Sequence, residues 1–265
     1  MTRSLYLLIA MAVIFVLPGC ASGFNLTARD YIYKDGETEL EGYLAFDSSN
    51  IKPRPAVLIV PQWRGITDHE RDVAKRLVNL GYAVLVADIY GKGVRPATSQ
   101  EAGQQASKYR NDITLMNARS RAALDTLKRQ SYVDSRRIAV IGYCFGGQVA
   151  LEAARAGMDF PVAVSFHGKL ATENPATAEG FKAKVLVLHG SADPLVPDSE
   201  VADFQREMNA AKVDWYLVSY ANAKHSFTEK NAAETENTGY NATADRRSFQ
   251  QMLAFFRETI GEGVR

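Results

Sequence analysis

The feature that most constrains this chain is a six-residue turn, Gly142-Tyr143-Cys144-Phe145-Gly146-Gly147, set between a strand-like and a helix-like run. Before it stands the unbroken apolar run Ile138-Ala139-Val140-Ile141; after it, Gln148 to Ala156 is rich in Ala, Leu and Val. A strand and a helix joined by so tight a turn nearly touch, so Gly142 and Gly146, two before and two after the cysteine, must be tiny. Cys144 sits at the apex and faces the positive end of the helix dipole, which favours the thiolate, the nucleophilic form of a thiol. The plain alternative is a buried structural cysteine in a glycine-rich turn.

The rest of the chain reads as alternating strands and helices. Tyr31 to Tyr33 and Leu40 to Phe46 flank Asp35-Gly36, a hairpin signal, with Leu40, Leu44 and Phe46 on one face and Tyr43 on the other. Ala56 to Val60 is a continuous apolar run, as expected of a parallel strand buried on both faces. Thr67 with Glu70 forms a capping box, Val73, Ala74, Leu77 and Val78 make an apolar helix face, and Gly81 ends the helix before a strand over Tyr82 to Ala87. Gly91 to Pro96 is a loop, Ser99 to Tyr109 a polar surface helix, and Ile113, Met116, Ala123, Leu124 and Leu127 mark a longer amphipathic one. Strands over Val162 to Phe166, Lys184 to Leu188 and Trp215 to Val218 follow, with helices over Ala202 to Ala210 and Ser248 to Ile260. This order predicts an α/β fold: a mostly parallel, doubly wound sheet with an N-terminal antiparallel hairpin. Without an evident linker, residues 20–265 read as a single domain.

A nucleophile at such a turn needs a base within hydrogen-bond reach and an acid to orient that base. In α/β-hydrolases these follow along the chain in the order nucleophile, acid, histidine. Of His69, His167, His189 and His225, only His225 follows the best acid, Asp193, in the tight loop Gly190-Ser191-Ala192-Asp193-Pro194-Leu195-Val196-Pro197. That loop falls just past a strand, at the carboxyl edge of the sheet where open α/β folds bind ligands. Taken singly, Asp193 reads as a turn residue before a proline and His225 as a surface histidine.

With 31 Lys and Arg against 30 Asp and Glu, the net charge of +1 gives no basic groove for nucleic acid. The two cysteines, Cys20 and Cys144, have separate uses, so neither a disulfide nor a cysteine-rich metal site is expected. Arg3 precedes a short apolar run, Leu5 to Leu17, which is short for a membrane span and suits a secretory signal. It ends Leu17-Pro18-Gly19-Cys20, similar to a bacterial lipobox. By that resemblance residues 1–19 are a signal peptide and Cys20 carries a lipid anchor, placing the protein in the cell envelope, at an outer membrane or periplasmic face. An ordinary signal peptide and an uncleaved membrane helix are the alternatives.

The chain resembles the dienelactone hydrolase family of the α/β-hydrolase fold. The resemblance is carried by Asp88-Ile89-Tyr90-Gly91-Lys92-Gly93, the turn from Gly142 to Gly147, the loop from Gly190 to Pro197, His225-Ser226-Phe227-Thr228 and Ala244-Asp245-Arg246-Arg247-Ser248. It implies a Cys144, His225, Asp193 triad, with an oxyanion hole from the backbone N–H groups of Trp63 and Phe145, and no metal or cofactor. In Pro61-Gln62-Trp63-Arg64-Gly65, Gln62 stands where the family carries a glutamate that pairs with the resting thiol. Lys92 and Glu229 stand where lactone-cleaving members hold the substrate carboxylate with two arginines. The resemblance thus puts Gln62 and Lys92 against the substrate, a small ester or lactone, while the residues at positions 92 and 229 speak against dienelactone itself. A monomeric hydrolase is expected. The rival reading is a non-catalytic envelope lipoprotein that binds a ligand or protein on the same fold.

Overall fold

The computed structural model describes residues 23–264. The signal-like segment and Cys20 lie outside the described residues. The hairpin is longer than its apolar residues suggested: β1 (Leu26–Asp35) pairs antiparallel along its whole length with β2 (Thr38–Asp47), turning at Gly36 with φ +55°. β1 is an edge strand with mostly exposed residues, so hydrophobic alternation marks only its last turn toward Tyr33.

β3 (Arg54–Val60) is buried at every position. Its alternate residues feed two cores: Ala56, Leu58 and Val60 point to one face of the sheet, Val57 and Ile59 to the other. The same division holds in β5 (Val133–Tyr143), with Ile138 and Val140 opposite Ala139 and Ile141. This is why the central strands read as unbroken apolar runs rather than alternating ones. Helix α1 (Asp68–Val78) starts at the expected capping box: Thr67 accepts from the His69 N–H, and the Glu70 side chain accepts from the Thr67 N–H. Such a cap stabilises a helix by about 1 kcal/mol.

After β4 (Ala83–Val86) come α2 (Ser99–Arg110) and α3 (Ile113–Lys128). α2 is less of a surface helix than its composition suggested. It buries Ala102, Ala106 and Tyr109, and the Tyr109 hydroxyl donates to the Tyr90 carbonyl at 3.1 Å. Past the turn lie α4 (Phe145–Arg155), β6 (Val162–Phe166), β7 (Lys184–Gly190), α5 (Asp198–Ala210), β8 (Trp215–Tyr220) and α6 (Ala242–Thr259). α6 begins earlier than its apolar stripe, because Asn241 caps it by accepting from the Ala244 N–H.

The eight strands are ordered β1-β2-β4-β3-β5-β6-β7-β8, antiparallel from β1 to β4 and parallel from there on. α1 and α6 cover one face; α2, α3, α4 and α5 cover the other. The parallel strands therefore end along one edge, and the loops leaving β3, β5, β6, β7 and β8 converge there.

Candidate active site

The turn after β5 is built from contacts that exclude side chains. A Cβ on Gly142 would lie 1.9 Å from the Gly146 carbonyl oxygen, and one on Gly146 would lie 2.1 Å from that of Val60. The second contact extends the sequence argument: Gly146 must be small because α4 also presses on the end of β3. Cys144 takes φ 53° and ψ −112°, a strained conformation for a residue with a Cβ. It thereby stands immediately before Phe145, the first residue of α4.

Asp193, His225 and Cys144 come together from three loops. Asp193 Oδ2 lies 2.8 Å from His225 Nδ1, and His225 Nε2 lies 3.0 Å from Cys144 Sγ. The other oxygen of Asp193 accepts from the Leu195 N–H at 2.9 Å. A carboxylate beside Nδ1 fixes the proton there, which leaves Nε2 to exchange a proton with the thiol. The backbone of His225 is held as well: its backbone N–H donates to the Asn237 carbonyl, and the Gly239 N–H donates to the His225 carbonyl. Burial alone would lower the pKa of His225, but the Cys144 charge and the hydrogen bonds to Asp193 and Cys144 outweigh it, and it is pushed up to about 10. The arrangement thus favours a cation on the ring.

Trp63 and Phe145 also reach this edge. Their backbone N–H groups have no acceptor among the described residues. Trp63 is held by its carbonyl, which accepts from the Tyr90 hydroxyl at 2.8 Å. Gln62 is buried, and its side-chain oxygen accepts from the Arg64 N–H at 3.4 Å. Lys92 is not gathered with these groups. Its N–H donates to the Glu39 carbonyl and its ammonium pairs with the Glu39 carboxylate at 2.9 Å, on the exposed side of β2. The loop after β4 folds back onto the hairpin, and this sets Lys92 against β2 instead of the thiol.

His69, half-buried, and His189, buried, make no hydrogen bond to the relay among the described residues. Burial lowers both pKa values, that of His69 to about 4, and the His69 ring stands edge-on to Tyr143. His167 is different: its Nδ1 accepts from the Cys144 N–H at 3.2 Å. Its place at the end of β6 was visible in the sequence, but the chain-order rule discards it as a base. Glu70 was legible only as a cap. It is fully buried, and its carboxylate also accepts from the Gln62 N–H at 3.3 Å. Beside it, Glu229 has an Oε1 sealed from solvent and without a partner among the described residues. Burial first, and the Glu70 charge second, push the Glu229 pKa up to about 7.

The dienelactone hydrolase family model matches residues 40–260. The chain belongs to the dienelactone hydrolase family. It is therefore an enzyme of a family that hydrolyses lactones and esters. A Yersinia pestis protein bearing the name carboxymethylenebutenolidase is 25% identical over 83% of this chain and 84% of its own length. Among solved structures, P91, described as a dienelactone hydrolase-like promiscuous phosphotriesterase from metagenomic libraries, is 36% identical with a TM-score of 0.84, over 91% of this chain and all of its own. The dienelactone hydrolase of Anabaena variabilis, at 21% identity and a TM-score of 0.66 over 88% of this chain and 98% of its own, shares the fold. Among the described residues, no group of His, Cys, Asp and Glu is clustered for a metal ion.

Proposed function

We propose that this dienelactone hydrolase family member cleaves a small ester or lactone through a Cys144, His225, Asp193 triad and an acyl-enzyme. The observation that carries the reading is the unbroken relay from Asp193 Oδ2 through the imidazole to Cys144 Sγ, with contacts of 2.8 and 3.0 Å. In the first half-reaction His225 Nε2 takes the thiol proton, the sulfur attacks the carbonyl carbon, and the C=O electron pair moves onto oxygen. The Trp63 and Phe145 N–H groups donate to that oxyanion. The tetrahedral centre collapses, the C–O bond breaks, and the proton held on His225 Nε2 passes to the leaving alkoxide. A lactone keeps that alcohol tethered to the thioester. In the second half, His225 takes a proton from water, the resulting hydroxide displaces the sulfur, and the carboxylic acid leaves. Asp193 holds the ring orientation and balances its charge throughout.

The test is a panel of activated esters, lactones and thioesters offered to soluble protein beginning after Cys20, with a phosphotriester included because of the likeness to P91. Turnover of one class, with a mass increment on Cys144 matching the acyl group, supports the reading; turnover undiminished in Cys144→Ala overturns it. Cys20 as a lipid anchor in the cell envelope is a separate proposal, resting on the Leu17-Pro18-Gly19-Cys20 pattern. Cys20→Ser should release the protein from membranes or block its processing. An unchanged membrane fraction and mass would remove the anchor.

A further inference from the structure

The relay has a second connection between nucleophile and base that does not pass through the thiol. His167 follows β6 and is 1% exposed, so its ring nitrogens must be satisfied inside the protein. Nδ1 faces the Cys144 N–H at 3.2 Å, a bond that shares its hydrogen with the Phe166 carbonyl at 3.0 Å. Nε2 lies 2.8 Å from Thr228 Oγ1. A backbone N–H can only donate, so Nδ1 must carry its lone pair and the single ring proton must sit on Nε2, donating to Thr228. Thr228 is buried three residues beyond His225 on the same loop.

We propose that His167 is a positioning residue that clamps the nucleophile turn to the loop carrying His225, through the Cys144 N–H on one ring nitrogen and the Thr228 hydroxyl on the other. The inference rests on the assignment of Cys144 and His225 as nucleophile and base. Three loops meet here, and each holds a non-glycine residue at positive φ: Cys144 at 53°, His167 at 41° and Ser226 at 60°. Such conformations persist only where surrounding contacts over-determine them. The ring is packed edge-on against His225 and Phe227, each at 5.2 Å between centroids, which leaves it little freedom to turn. Burial pushes its pKa well below the ordinary value, and His225 and His69 push the same way, so the neutral tautomer that both contacts require is the stable one. A protonated ring would turn a second donor toward the Cys144 N–H.

The clamp is tested in Thr228→Val, which keeps the side-chain shape and removes the acceptor, with Thr228→Ser as the conservative return and His167→Asn as the break at the other end. Each is measured for ester turnover and for alkylation of Cys144 by iodoacetamide at pH 7. Loss of the clamp should lower kcat about tenfold with little change in KM, since small displacements of reacting groups are costly. Alkylation should slow in parallel, because the thiolate depends on a well-placed His225. Thr228→Ser should recover most of both losses, and His167→Asn should behave as Thr228→Val does. Wild-type kcat and alkylation in Thr228→Val, or a loss of thermal stability alone, overturns the clamp. If alkylating wild-type Cys144 leaves turnover intact, the nucleophile assignment itself falls, and the clamp with it.

Discussion

Two groups of ionisable side chains meet at the carboxyl edge of the sheet, and they are finished to different degrees. In the first, Asp193, His225, Cys144, His167 and Thr228 form a connected set in which each ring nitrogen has a partner. In the second, Glu70 accepts from the Thr67 hydroxyl and from the N–H groups of Thr67 and Gln62, yet burial still raises its pKa. Glu229 beside it keeps one buried carboxyl oxygen unpaired among the described residues. Bond-making chemistry needs fixed distances, which a fully satisfied network supplies. An unpaired buried oxygen stores cost, so the second group is held less completely than the first.

The largest expected effects fall on the first group. Cys144→Ala and His225→Ala should each reduce ester turnover by about three to four orders of magnitude, and Asp193→Asn somewhat less. Steady-state kinetics with one activated ester checks all three. Turnover retained in His225→Ala would remove His225 as the base.

Gly146→Ala tests how tightly the two are joined, because a Cβ there would sit 2.1 Å from the Val60 carbonyl oxygen and 2.6 Å from that of Pro61, in the segment leading to Gln62. With backbone on both sides of the contact, neither can yield, and a loss above about 4 kcal/mol is expected. Denaturant unfolding measures it.

Glu229→Gln separates the two groups through pH. The folded pKa of Glu229 stands near 7, above its ordinary 4.5, so between these values the native protein holds a proton that the unfolded chain releases. The stability from this group is complete below pH 4.5 and is lost as pH rises through 7. The variant should therefore match wild type in acid and exceed it at pH 8 by on the order of 2 to 3 kcal/mol. Melting temperatures of both proteins across that range decide the point; a gain that is constant with pH would mean that Glu229 does not titrate in the fold. The carboxyl and charged groups acting on it are Glu70, His225 and Arg64.

What could be read from the residues follows the same division. The strands were legible because a sheet covered on both faces needs unbroken apolar runs, as from Ala56 to Val60 and Ile138 to Ile141. The turn at Cys144 was legible because backbone contact leaves a local record in glycine. His167 was not, since its role depends on Thr228, which lies 61 positions away. Glu229 was visible as a charge reversal, but its raised pKa comes from burial first and from Glu70 on α1 second, tertiary effects without a local signature. Lys92 was set against the substrate by resemblance alone, and its pairing with Glu39 depends on how the loop after β4 closes over the hairpin.

The smallest expected effect lies at the seam between the two groups. Gln62 is neutral, buried, and folded back so that its oxygen accepts from the Arg64 N–H. Gln62→Glu preserves that acceptor and adds a negative charge in a segment already holding the Glu70 carboxyl through its backbone. Two consequences follow from one charge. An added anion near the relay disfavours the thiolate and should slow iodoacetamide alkylation of Cys144 at pH 7 by several-fold, roughly 1 kcal/mol. Repulsion from Glu70 should also lower stability above neutral pH and spare it in acid, where the new carboxyl is protonated. The two readouts separate the places the charge could act. Slower alkylation with unchanged stability assigns Gln62 to the relay; lower stability with unchanged alkylation assigns it to the acid pair, and the thiolate then depends on His225 without help or hindrance from position 62.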